Sequence, residues 1–206
     1  MKQHLQRCRP LSAFKKGTRQ RVQNRMTKEP YEYVLAAAPA KRASDLHCDF
    51  PLQSGKLRRF EPGMMPFDVL AQGAFGGCYL NDCMDEFPRE WWATYLDSGR
   101  ASPGSPDDGL NRFSLPGDPA VSGQGLRTWR RNGWIYGDDA RGWFQWFCRY
   151  ALGRRDPEVD PIQMRRWRAF ARHAGQIRNS CLGDLTRRRN QRQALLHWAW
   201  PQPEEM

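Results

Sequence analysis

Between residues 127 and 200 the chain gathers sixteen of its 27 arginines and seven of its nine tryptophans, with no lysine and six acids, for a formal charge of +10. So many rings need apolar positions that recur in register, and the guanidinium groups must stay in water or meet acceptors. Residues 140–152, ARGWFQWFCRYAL, meet the first demand as a helix. Trp143, Phe147 and Tyr150 fall on one stripe and Phe144, Cys148 and Ala151 on the next, an apolar arc so wide that the helix should be mostly buried. Gly153 suits its C-terminal cap. Asp160-Pro161 reads as an N-cap and first-position proline, opening a helix to about Asn179. Its inward residues are Trp167, Phe170, Ala174 and Ile177, with Arg165, Arg168 and Arg172 on another face. A turn between Gly183 and Thr186 leads to a last helix from about Arg187 to Trp200, stopped by Pro201.

Earlier in the chain the signals are weaker. YEYVLAAA (31–38) fits a short helix or strand ended by Pro39. Pro66 and Pro88 suit first turns of short helices, the second carrying Trp91, Trp92 and Tyr95 at offsets typical of a helix. Gly76-Gly77 lacks either phosphate-loop pattern and reads as a tight turn. Residues 98–125 are rich in Ser, Gly, Pro and Asp, as in a long loop. The fold class that follows is mainly α: a compact helical domain with long Gly/Pro-rich loops and room for a short strand or hairpin. The organisation is a basic flexible arm (1–28), a poorly defined lead-in (29–64), one mainly helical domain (65–200) and a tail (201–206).

Charge is unevenly spread. Residues 1–28 carry +9 with no acid, residues 29–126 carry −6, and the whole chain carries +11. Such polarity attracts polyanions, so nucleic acid or another polyanion is the expected partner, with a protein partner as the alternative because Trp, Tyr and Arg also dominate interfaces. No run approaches the roughly 18 apolar residues of a membrane span, which argues against a membrane partner. Six cysteines without a CxxC pair read as reduced thiols of an intracellular, cytoplasmic protein. The first 28 residues resemble a mitochondrial presequence in composition, though their apolar residues are too sparse for an amphipathic face; a solvated arm, or a start at Met26, fits better.

The segments FGGCYLNDCMDEFPREWW, GWIYGDDARGWFQWFCRYALGRR, HAGQIRNSC and RRRNQRQALLHWA resemble those of a family of hypothetical proteins to which no function is attached. The resemblance implies one unit over about residues 65–200. It carries over no catalytic residue, ligand or fold.

Candidate sites come from the residues themselves. A nucleic-acid surface needs cations for phosphates and flat rings for bases. Arg141, Arg149, Arg154 and Arg155 form one candidate cluster, Arg165, Arg168 and Arg172 a second, and Arg187, Arg188, Arg189 and Arg192 a third. The helical spacing of the tryptophans assigns them to the core. Asp139 reads first as the cap of the helix after it. The sharper reading joins it to Asp82, Asp85 and Glu86 as a carboxylate cluster for Mg²⁺-dependent chemistry on a nucleotide or nucleic acid, with Asp82, Asp85 and Asp139 as the catalytic candidates. No motif requires a cofactor. His173, Cys181 and His197, with Cys148, Cys78 or Cys83, match no zinc module, and Cys148 reads as a core thiol.

Overall fold

The computed structural model describes residues 8–23, 29–101, 126–181 and 183–203. Over these the protein is mainly helical, with two small antiparallel sheets. Strand β1 (Arg19–Gln23) pairs with β2 (Pro30–Val34), and β3 (Cys48–Pro51) pairs with β4 (Leu57–Phe60). The helices are α1 (Pro66–Ala71), α2 (Arg89–Asp97), α3 (Leu126–Arg131), α4 (Trp143–Leu152), α5 (Val159–Arg168), α6 (Ala171–Cys181) and α7 (Arg189–His197). No helix among the described residues is long and apolar enough to cross a membrane. Most of the loop expected over 98–125 lies outside the described residues.

The basic N-terminal segment, expected to be a solvated arm, is folded over residues 8–23. Cys8 and Phe14 are buried, and Arg19 and Arg21 point outward while Gln20 is buried between them. This two-residue alternation is too short to stand out against the charge. Glu90 on α2 holds the segment by accepting the Leu11 N–H at 2.9 Å. The lead-in likewise supplies core, with Tyr33, Leu35, Leu46, Phe50 and Phe60 all buried.

Helix α4 is the centre of the packing, and all ten of its residues are buried. Phe60 at the end of β4 is fully enclosed and meets Trp146, Phe147, Tyr150 and Trp167 edge to face, at 5.0 to 6.4 Å between centroids. That geometry sets the positive ring edges of one partner against the negative faces of the other. Gly153 ends α4 with φ of 116°, and a Cβ there would lie 2.2 Å from the Ala37 carbonyl oxygen. Only glycine permits both the dihedral and the approach. The chain at 35–40 is thereby laid along the end of α4, where the Ala37 N–H donates to Gly153 O and the Ala40 N–H to Ala151 O.

The helix expected over 161–179 is two helices. A tight turn at Ala169–Phe170 separates α5 from α6, so that Trp167 packs on Trp200 (4.1 Å) while Phe170 stacks on Trp198 (4.3 Å). A straight helix would hold these two rings in one fixed relation, and tertiary packing overrides the uninterrupted propensity. The cap also differs. Asp156 accepts the Glu158 and Val159 N–H groups at 3.0 Å each, whereas Asp160 is buried and accepts the indole N–H of Trp146 at 2.8 Å.

Candidate functional site

A buried ion network and an open aromatic cleft flank α4, and they differ in their charge balance. On one side Arg149 projects into a network of four ions. Its Nε and Nη2 donate to the two oxygens of Glu86 at 2.6 and 3.0 Å, and its Nη1 donates to Asp139 Oδ1 at 2.9 Å. Arg154 donates to the other Asp139 oxygen at 2.7 Å, and Tyr33 donates its hydroxyl to Glu86 at 2.7 Å. All four ions are buried, and Asp139 is 0% exposed. Two guanidinium groups face two carboxylates, so the set is neutral. Burial depresses the Arg149 pKa, but Glu86 and then Asp139 more than offset it, and the net shift is upward. Burial and Glu86 push the Tyr33 hydroxyl well above its usual range.

This network places the carboxylate candidates. Asp139 does not cap α4, which opens at Trp143 behind Gly142 with no side-chain cap. Both Asp139 oxygens already accept from arginines. Asp82 is paired with Arg141, and Asp85 is exposed. Among the described residues no three His, Cys, Asp or Glu side chains gather as a metal ion would require. Asp82, Asp85 and Glu86 instead line a cleft of about 510 Å³ opposite Arg9, Arg19 and Arg21, where both signs of charge meet.

The arginine candidates divide into two kinds. Arg141, Arg149, Arg154 and Arg192 are buried, at 7, 2, 3 and 1% exposure, and point inward. Arg192 donates to the Cys181, Asp184 and Arg187 carbonyls, closing the C-terminal end of α6. Arg155 lies 3.8 Å over the Tyr150 ring and donates to two carbonyls. By contrast, Arg165, Arg168 and Arg172 on α5 and α6, and Arg187, Arg188 and Arg189 before and at the start of α7, are exposed or half-buried. None of these six makes an ion pair among the described residues.

On the other side of α4 lies an open cleft of about 630 Å³. Its inner wall is built from the core: Trp143 and Phe144 of α4, Phe75, and Trp198 after α7. Trp143 lies 4.6 Å from Trp198 between ring centroids, and Phe75 stacks on His197 at 4.2 Å. The outer rim is Trp129, Trp134 and Tyr136, set by a turn in which the Trp134 N–H donates to the Trp129 carbonyl at 2.9 Å. Trp134 is 40% exposed. Phe75 adopts φ of 57°, a left-handed conformation unusual for a bulky residue. Its N–H donates to His197 Nε2 at 3.3 Å. Burial drives the His197 pKa down to about 3, so that ring is neutral at physiological pH.

The cations of this cleft are Arg166 and Arg172, and no carboxylate lines it among the described residues. The Arg166 guanidinium sits 5.2 Å from the Tyr136 ring centroid and 5.5 Å from that of Trp198. It donates to Gln163 at 2.9 Å and has no ion pair among the described residues. Burial lowers its pKa, opposed only by Tyr136 and Tyr79.

Arg172 is the one cleft residue present among the arginines singled out from the sequence. The helical spacing that assigns tryptophans to the core holds for Trp143, Trp146, Trp167 and Trp200, which are buried, but not for Trp129, Trp134 and Trp198. A signal for two of these does exist. In RTWRRNGWIY the rings at 129, 134 and 136 share no helical face and flank arginines. Compared with known proteins, the chain matches no family model, no curated protein and no solved structure.

Proposed function

We propose that the protein binds nucleic acid or another polyanion, inside the cell, through an arginine-rich, aromatic-backed helical surface. The surface consists of Arg165 and Arg168 on α5, Arg172 on α6, and Arg187, Arg188 and Arg189 at the approach to α7. The observation that carries this reading is the contrast between the two sets of arginines. Arg141, Arg149 and Arg154 are buried against carboxylates, whereas these six are exposed or half-buried and make no ion pair among the described residues, Arg165, Arg187 and Arg188 donating only to neutral oxygens. Cations outside an ion pair stay available to phosphate, and only Arg187 among the six has a carboxylate close enough to interact, that of Asp184. The outward Arg19 and Arg21 of β1 lie on the cleft that also holds Asp82, Asp85 and Glu86, so they contribute less to such a surface.

The test is binding of labelled single- and double-stranded nucleic acids across a salt series. Micromolar or tighter affinity that falls steeply with salt supports the reading, because each neutralised phosphate releases a counterion. Charge-removing substitutions at the exposed Arg168 and Arg187 reduce the salt slope by about one for each phosphate that is no longer neutralised. Absence of binding at low salt refutes it.

A further inference from the structure

We infer that the aromatic cleft between Trp134 and Trp198 receives one unpaired base of a single-stranded nucleic acid; this rests on the polyanion reading above and specifies its ligand. Four observations converge on this occupant. First, the lining joins flat rings to two arginines with no acid among the described lining residues, so a planar group attached to an anion complements it. Second, Arg166 is half-buried without an ion pair among the described residues, and an enclosed cation is costly until an anion meets it. Third, the rim rings Trp129, Trp134 and Tyr136 are half-buried or exposed, so ring surface is open to a ligand. A base brings a ring face to meet them together with edge groups that hydrogen-bond. A sulfated sugar supplies no aromatic face, and an acyl chain supplies no hydrogen bonds. Fourth, at about 630 Å³ the cleft falls within the roughly 300–1,000 Å³ typical of small-ligand sites, which suits one nucleotide unit.

The exposed edge at Trp134 leaves a way for the phosphate chain to enter and leave, and Arg172 lines the same cleft. A duplex keeps its bases stacked inside and cannot fill the cleft without unpairing, so the site selects single strands. Sequence preference is weak, because every base has a π face.

The experiment compares three probes on the full chain: a labelled single-stranded oligonucleotide, an abasic strand of the same length and charge, and heparin. The wild-type protein binds the intact strand more tightly than the abasic one by roughly 5- to 150-fold, the range for one base–aromatic stack. Trp134→Ala loses affinity for the intact strand by the same factor and leaves abasic-strand and heparin binding unchanged. Trp134→Phe, which keeps a ring at an exposed position where folding is not at stake, retains most of the affinity. Equal binding of intact and abasic strands by the wild type overturns the base site and leaves the polyanion reading standing. Equal losses for all three probes in Trp134→Ala also overturn the base site. Failure of the wild type to bind any probe at low salt overturns both.

Discussion

Removing the Asp139 carboxylate tests whether the four-ion network is structural. In Asp139→Ala, Arg154 loses its charged partner while remaining 3% exposed. Its Nη1 is left with the Tyr31 hydroxyl at 3.5 Å, and its Nε has no acceptor among the described residues. Arg149 keeps Glu86 and the Asp138 carbonyl. The change strands one buried cation and weakens a second. Breaking a buried ion pair from one side costs about 3–5 kcal/mol, a large share of the roughly 5–15 kcal/mol that holds a domain folded. At about 2–4 °C per kcal/mol for a chain of this size, the melting temperature drops by roughly 6–20 °C. Urea unfolding followed by tryptophan fluorescence and far-UV circular dichroism measures this directly. In Asp139→Ala/Arg154→Ala the stranded cation is gone, so the double variant recovers more than about 1 kcal/mol relative to the sum of the single losses. A loss below about 1 kcal/mol for Asp139→Ala, or strict additivity in the double variant, would refute the reasoning. A carboxylate held for metal-dependent catalysis behaves oppositely, losing activity while stability stays nearly intact.

Phe60→Ala empties the meeting point of four rings and lowers stability by about 3–5 kcal/mol, measured by the same unfolding assay. Gly153→Ala costs at least about 2 kcal/mol, because φ of 116° and a carbonyl oxygen 2.2 Å from the new Cβ both oppose it; a stability within experimental error of wild type would contradict the described path of residues 35–40. His197 has a folded pKa of about 3, below its ordinary 6.5. Between those values the unfolded state binds more protons, so the stabilisation is complete above about pH 6.5 and is lost as pH falls, by up to about 1.4 kcal/mol per unit. His197→Gln flattens this limb relative to wild type in unfolding curves taken from pH 7 to pH 4.

Periodicity makes α4 legible, because a helix buried on every side displays apolar residues on adjoining stripes. It also locates α2 and the body of α7, which ends at His197 rather than at the expected Trp200. It cannot reveal that Arg149, between those stripes, is as deeply buried as its apolar neighbours, since the compensating Glu86 lies 63 residues away in the chain. The same holds for Asp139. A capping aspartate and a buried ion-pair acceptor occupy similar local sequences, and only tertiary placement separates them. The bend at Ala169–Phe170 carries no glycine or proline and is set by where Trp198 and Trp200 sit. Of the cleft, the rim rings of RTWRRNGWIY are visible as aromatics without a common face. Trp198 is hidden because it occupies an inward position of an amphipathic pattern yet ends up beside an opening.

The neutral quartet of Glu86, Asp139, Arg149 and Arg154 also bears on how the sequence can drift. Any single charge change leaves an uncompensated ion in the interior, and even Arg149→Lys forfeits the fork that meets two carboxylates at once. Coordinated replacement by apolar residues of matching volume carries no such penalty. Chains descended from a common ancestor with this one should therefore keep the four positions together or exchange them together. Aligned with one another, such chains would display the quartet as correlated columns, with Tyr33 varying alongside Glu86.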